Sequence, residues 1–420
     1  MNNTEKYFIA VLCRGLGICN SEYFDNDGNY RGEINEDIKN GAKKLSERHS
    51  LVGLYSEGVL RLSRDNAEKM MLTMSVAALV AKSAERFNAM NKTIEELASQ
   101  GVDVTVMKGY VLRNYYSMPE YRSFGDIDLL IKKKDSEKAK KILEKLGFSE
   151  SNNELHVIGM RKDQQYFELH TDILGDDFFV PGGAAHLLRE PWDSAVETSR
   201  KGIFEFSAEF HFLYLILHIA KHFYCMGAGV RMFLDVALMA EKGIVDWKKT
   251  AEYIKASGMA EFTLSVFSVC NKFFGTTIPE ELRSALCGDN GAAFPDEAAS
   301  DEMADYVIRG GIFGFDGPAY EVAKLRQAYL ENRKDDREDD GKTVKKAASR
   351  AIIPDRATME RRYPFCRKKP WLLPAAHVAR IFSVLTNRRR ARSAAMRMKR
   401  LCASDDSAKK QVEFYKKIGL

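Results

Sequence analysis

The segment Gly125-Asp126-Ile127-Asp128-Leu129-Leu130-Ile131 constrains this chain more than any other, because acids and aliphatic residues alternate there at the two-residue period of a strand. Asp126 and Asp128 project to one side, while Ile127, Leu129 and Ile131 pack against the other. Carboxylates placed side by side repel. Magnesium, which takes hard oxygen ligands and commonly bridges to phosphates, would neutralise that repulsion. An edge strand with one solvated face also produces Asp-x-Asp, so the surrounding pattern has to decide between the two readings.

That pattern is helical on both sides of a short strand-rich stretch. Met70 to Ala98 carries apolar residues at three- and four-residue steps without proline, which predicts one long amphipathic helix ending at Gly101. Val102 to Met107 then alternates as a strand, Lys108-Gly109 turns into a short helix over Tyr110 to Tyr116, and Pro119 breaks it. After the acidic strand, Asp135-Ser136 starts a helix with apolar positions Ala139, Ile142, Leu143 and Leu146, stopped by Gly147. Leu155 to Met160 and Gln165 to Ile173 are two further strands. From about Phe206 helical spacing returns. The expected class is α+β, a small mixed sheet with helical regions before and after it.

A length of 420 residues with 45% hydrophobic and 29% charged residues fits a soluble chain of about two or three domains. The longest apolar stretch, Phe210 to Ala220, is broken by His211 and His218, well short of the roughly 18 residues a bilayer span needs. No secretory signal is legible, and the seven cysteines are scattered without a CxxC pair, so the cytoplasm is the expected compartment.

Charge is unevenly spread. Lys342 to Arg400 holds 18 Lys and Arg against Asp355 and Glu360, and the charged stretch Asp335 to Gly341 before it reads as a linker. The expected organisation is a helical region over 1–100, the sheet core over 101–175, a helical domain over 176–334, the linker over 335–341 and a basic helical extension over 342–420. Arg388 to Arg400 could be a solvated face, or could meet RNA or an anionic membrane surface.

The strand Tyr166-Phe167-Glu168-Leu169-His170 puts Glu168 and His170 on one face, offering a third carboxylate if it lies beside the acidic strand. With Lys108-Gly109 at a strand-to-helix turn, Asp126-x-Asp128 on the next strand and Glu168 on a later one, the chain resembles the DNA polymerase beta-type nucleotidyltransferase superfamily. More narrowly it is similar to the bacterial family called uncharacterised nucleotidyltransferases. The narrower likeness includes Met107-Lys108-Gly109-Tyr110-Val111-Leu112, Arg122 upstream of the acidic strand, and Phe167-Glu168-Leu169-His170. It continues through His218-x-x-Lys221-His222, Arg231-x-x-x-Asp235 and Gly310-Gly311-Ile312-Phe313-Gly314.

The resemblance implies a magnesium-dependent enzyme that moves a nucleoside monophosphate from a triphosphate, expected to be ATP, to a hydroxyl of an acceptor. Asp126 and Asp128 would hold the metal ions on the triphosphate, and Glu168 would complete the site for a second metal and the acceptor hydroxyl. In-line attack on the α-phosphate needs its entering and leaving oxygens stabilised, which two cations held by three carboxylates achieve. Lys108, Gly109, Arg122, Lys221 and His222 would bind the nucleotide. The superfamily usually has Gly-Ser at the turn; here Gly109 permits close backbone approach, and Lys108 would supply a cationic contact in place of the hydroxyl. The alternative is a catalytically degenerate copy of the fold acting as an RNA-binding or pathway scaffold protein.

Two helical constellations stand beside this core. His211, His218 and His222 can share one helix face, but Ile219 occupies the place where a His-x-x-x-His metalloprotease site has glutamate. They read as interface or cleft residues instead. Arg231 and Asp235 stand four apart and are expected to pair with each other.

Overall fold

The computed structural model describes residues 1–123, 125–153, 156–173, 190–225, 227–288, 291–311, 363, 365–386 and 405–420, with single positions at 322, 325, 326, 329, 356, 359, 392, 396 and 399. Contacts divide the chain into two compact units. One comprises Met1–Phe223, Gly227–Gly314 and Ile418–Leu420, the other Tyr224–Met226 and Phe315–Lys417.

The first unit begins with helices α1 (Asn3–Leu16), α2 (Glu36–Arg48), α3 (Val52–Leu62) and α4 (Asn66–Ser99). Asn2 and Glu5 cap α1 reciprocally, which satisfies amide groups that its first turn would otherwise leave unpaired. The long helix α4 does end at Gly101, whose φ of 74° lets the chain reverse so that the Val102 N–H reaches the Leu97 carbonyl.

Seven strands follow: β1 (Val104–Val106), β2 (Ile127–Ile131), β3 (Ser149–Asn153), β4 (Val157–Lys162), β5 (Gln165–His170), β6 (Ala195–Glu197) and β7 (Ile203–Phe206). They form one mixed sheet in the order β3-β4-β5-β2-β1-β7-β6. The pairs β2–β5 and β1–β7 are parallel; the others are antiparallel. The sequence pattern anticipates β1, β2, β4 and β5 but not β3, β6 or β7. The two edge strands, Ser149–Asn153 and Ala195–Glu197, lack a buried apolar face, and β7 is only four residues long. The helix expected over Tyr110 to Tyr116 is a four-residue α5 (Gly109–Leu112) followed by 3₁₀ turns at Arg113–Tyr115 and Pro119–Tyr121.

One face of the sheet builds the core. Met90, Ile94 and Leu97 of α4, with Ala139, Ile142 and Leu143 of α6 (Ser136–Lys145), pack onto Val104, Val106, Ile127, Leu129, Ile131, Phe167 and Leu169. The odd-numbered β2 residues are thus spent on the core, which turns Asp128 to the opposite face. Across from that face stand α7 (Ala208–Cys225) and α8 (Val230–Glu241). The unit continues through α9 (Trp247–Ala256), α10 (Ala260–Phe274), α11 (Glu280–Cys287) and α12 (Glu297–Gly310).

The second unit contains α13 (Phe365–Lys368), α14 (Leu373–Thr386) and α15 (Asp405–Lys417). Ala408 and Val412 of α15 pack with Leu325 and Tyr329, while Ala376 of α14 packs with Met359 and Cys366. No helix among the described residues is long and apolar enough to cross a membrane. The stretch Asp335 to Gly341, expected as a linker, and Ile312-Phe313-Gly314 lie outside the described residues; of Arg388 to Arg400 only Arg392, Met396 and Lys399 lie within them.

Candidate active site

Parallel pairing of β2 with β5 sets Asp128 directly beside Glu168, and Leu130 beside His170. Adjacent strands in register bring same-face side chains within reach of each other, so residues 40 apart in sequence converge. Ligand atoms of Asp128, Glu168 and His170 lie within 4.8 Å of one another. His170 Nε2 is 2.9 Å from Asp128 Oδ1 and 3.4 Å from Glu168 Oε2. Asp126, one residue ahead of β2, is exposed and lines the same cleft. Enclosure by that cleft and the neighbouring Asp128 charge hold its carboxyl above the usual carboxylate range.

Lys108 shapes this face from below. Its φ of 47° is a left-handed conformation that a side chain takes at a cost of about 1–3 kcal/mol and that must be held by its surroundings. The turn delivers the ammonium to Asp128, with Nζ 2.8 Å from Oδ1. Burial disfavours both charges, yet each partner stabilises the other: the Lys108 ammonium is held above its ordinary value and the Asp128 carboxyl well below its own, His170 adding to the second effect. His170 itself is pulled down by burial and pulled up more strongly by its bonds to Asp128 and Glu168.

Gly109 has a steric role that the sequence does not reveal. A Cβ at this position would collide with the Arg122 guanidinium, so glycine is needed to seat Arg122. Arg122 in turn gives Nε and Nη2 to Asp235, at 2.9 and 2.7 Å, in a buried two-point pair that also receives the Tyr116 hydroxyl at 3.0 Å. The expected Arg231–Asp235 pair is therefore not formed. Asp235 is taken by Arg122, whose fork matches the carboxylate geometry, and Arg231 reaches the Ser123 carbonyl at 3.0 Å instead.

The wall opposite the sheet comes from α7 and α8. His218, Lys221 and His222 line the cleft together with Arg231, and Nε2 atoms of His218 and His222 meet at 3.2 Å. Burial and the nearby Lys108 charge keep both rings neutral, His222 being pushed down to about 4. His211, the third histidine of the helix, is buried away from the cleft lining, also pushed down to about 4 by burial. Burial and the adjacent Arg122 charge lower Arg231 to about 10, and no carboxylate lies within ion-pair range of it among the described residues. An anion placed there would relieve that penalty. His49 fixes the start of α8: its Nδ1 accepts the Val230 N–H at 3.3 Å while its Nε2–H donates to the Ile308 carbonyl at 2.9 Å.

The resulting cleft has a volume of about 430 Å³, within the range of small-molecule sites. All of the expected residues, Lys108, Gly109, Arg122, Asp126, Asp128, Glu168, Lys221 and His222, line it. Sequence reasoning missed His170 and Arg231 as cleft residues with chemistry of their own. The alternation of Glu168 and His170 carried the signal for the first; nothing local distinguishes the second. Two carboxylates and an imidazole suit a divalent cation.

The model of a family described as uncharacterised nucleotidyltransferase matches residues 41–275. No curated protein matches the chain. Among solved structures the chain is similar to the solution structure of the antibiotic-resistance factor ANT(2'')-Ia, at 14% identity and a TM-score of 0.26, over 46% of this chain and 93% of that one.

Proposed function

The chain belongs to the uncharacterised nucleotidyltransferase family, and on that premise we propose that its cleft binds ATP with magnesium and transfers the adenylyl group to a hydroxyl of an acceptor, releasing pyrophosphate. The observation that carries this reading is the β2–β5 register, which gathers Asp128 and Glu168 beside His170 at the floor of a cleft whose opposite wall is cationic.

Asp126, Asp128 and Glu168 would hold the divalent ions, which supply charge neutralisation for the entering and leaving oxygens. Lys108 keeps Asp128 ionised and ready to bind a cation. Arg231 and Lys221 receive the phosphate tail from the helix wall, while Arg122, locked onto Asp235, buttresses the Gly109 turn. Glu168 accepts the proton of the attacking hydroxyl as the new oxygen–phosphorus bond forms and the α–β bridge bond breaks. The test is incubation of the purified protein with α-labelled ATP, magnesium and cell extract, followed by mass spectrometry. A labelled adduct formed with the parent but not with Asp128→Asn supports the reading; absence of magnesium-dependent ATP binding by calorimetry overturns it.

The Lys108–Asp128 contact favours one other reading. An ammonium 2.8 Å from a metal-ligand candidate can replace a cation permanently, which would make this a catalytically degenerate member that scaffolds a pathway or binds RNA. Lys108→Ala separates the two: it leaves a degenerate protein without ATP consumption, whereas in an enzyme it changes a measurable turnover.

A further inference from the structure

Helix α14 is apolar on its outer as well as its inner side. Among its described residues the exposed ones are Pro374, Ala375, Val378, Ala379, Phe382 and Thr386, with no charge between them, while Arg380 is turned inward at 9% exposure. Val378 and Phe382, one turn apart on the same face, are each 67% exposed. The inner side is anchored by Ala376 on Cys366 and Met359, which fixes the outward direction of the other face. Just ahead of the helix, Trp371 is 73% exposed beside exposed Lys369. Further on, Met396 is 56% exposed, with Arg392 and Lys399 exposed four residues before and three after it. A globular surface does not ordinarily leave such a run of large apolar side chains in water.

The charge around this face says what covers it. From Arg361 to Arg400 the sequence contains thirteen Lys and Arg and no Asp or Glu. A second copy of the chain would set the exposed Lys369, Arg392 and Lys399 against a surface of the same sign, which opposes self-association through this face. A nucleic acid would satisfy the charges and could stack on Trp371 and Phe382, but it gains nothing from exposed Val378 and Met396, which offer neither hydrogen bonds nor stacking. An anionic bilayer satisfies both: its headgroups meet the basic residues, and its acyl boundary takes up Trp371, Val378 and Phe382.

We propose that α14, with the exposed Trp371 and Lys369 just ahead of it, forms a peripheral docking surface for anionic lipid bilayers, lying in the interface plane without spanning it. It requires nothing of the catalytic cleft.

The test uses the full-length protein and large unilamellar vesicles of phosphatidylcholine, alone or with one third phosphatidylglycerol, at low and high salt. Co-sedimentation with anionic vesicles should exceed that with neutral ones by about tenfold or more and fall as salt rises. Trp371 emission should shift to the blue on those vesicles, and Trp371→Phe should abolish most of the shift while keeping sedimentation. Val378→Asp combined with Phe382→Asp should reduce sedimentation about tenfold with circular dichroism unchanged. Should that pair unseat the helix, Phe382→Ser is the milder variant, expected to weaken sedimentation measurably. Equal sedimentation with neutral and anionic vesicles, or full sedimentation by a folded Phe382→Ser protein, overturns the proposal. So does a protein that ignores vesicles and instead retards an oligoribonucleotide, or one whose light-scattering mass shows a dimer that Phe382→Ser dissociates.

Discussion

The two walls of the cleft are made by different means. The sheet wall, Asp128, Glu168 and His170, is set by strand register: once β2 and β5 pair in parallel, the side chains have nowhere else to point. On the helix wall, Lys221 and His222 come from α7, while Arg231 sits on α8, which buried polar contacts tie down, Arg122 and Tyr116 to Asp235 and Val230 to His49. Backbone pairing fixes the acids cheaply and precisely, whereas a few polar anchors hold the cations. Substitutions on the first wall should therefore act first on chemistry, with a stability cost at Asp128, whose charge partners the buried Lys108 ammonium; substitutions in the anchors of the second should damage both.

The largest effect is expected from Asp128→Asn, which keeps the shape and removes the charge that Lys108 pairs with and that a bound cation would need. Turnover should fall on the order of 10³-fold, by comparison with loss of other positioned electrostatic groups, and Glu168→Gln by about 10². A variant that retained parental turnover in the labelled-ATP assay would break the assignment of the sheet wall as the chemical one.

Next comes Asp235→Asn, which strands the buried Arg122 guanidinium without a counter-charge. Breaking one partner of such a pair costs about 3–5 kcal/mol, so the urea midpoint should drop sharply. If the midpoint held while ATP affinity alone fell, the pair would be a ligand contact and not an anchor.

A pH dependence of about 2 kcal/mol should follow from His49. Burial lowers it to about 4, below its ordinary value of about 6.5, so the unfolded chain binds the extra proton first. The stabilisation is complete above pH 6.5 and is lost as pH falls toward 4, since protonating Nδ1 also removes the acceptor for Val230 N–H. Urea unfolding at pH 7 and pH 5 should show the loss, to which buried His211, His218 and His222 also contribute, and His49→Gln should remove the His49 share of about 2 kcal/mol and leave the rest.

The smallest change is Arg231→Met. Without a carboxylate partner to abandon, the fold should hold or gain slightly, while ATP affinity by calorimetry falls about tenfold, with AMP affected less. Equal losses for ATP and AMP would place the phosphate tail elsewhere.

The acidic strand, the long α4 helix with its Gly101 stop, and the pairing of Glu168 with His170 on one face were all legible in the chain, because side-chain alternation and helical spacing are local properties of backbone geometry. The same locality explains the misses. Ser149–Asn153 and Ala195–Glu197 become strands only because a neighbour supplies hydrogen bonds along one edge. Arg231 sits four residues from Asp235, the spacing of a helical ion pair, yet loses it to Arg122, 113 residues away, whose planar fork engages both carboxylate oxygens. Gly109, expected to let a phosphate approach the backbone, also makes room for that same arginine. Sequence by itself determined which faces carry acids and which carry core, since that follows from a period of two. Only the tertiary structure decided which charges meet, because an ion pair is chosen by geometry among all groups brought within a few ångströms, and that set is assembled by folding.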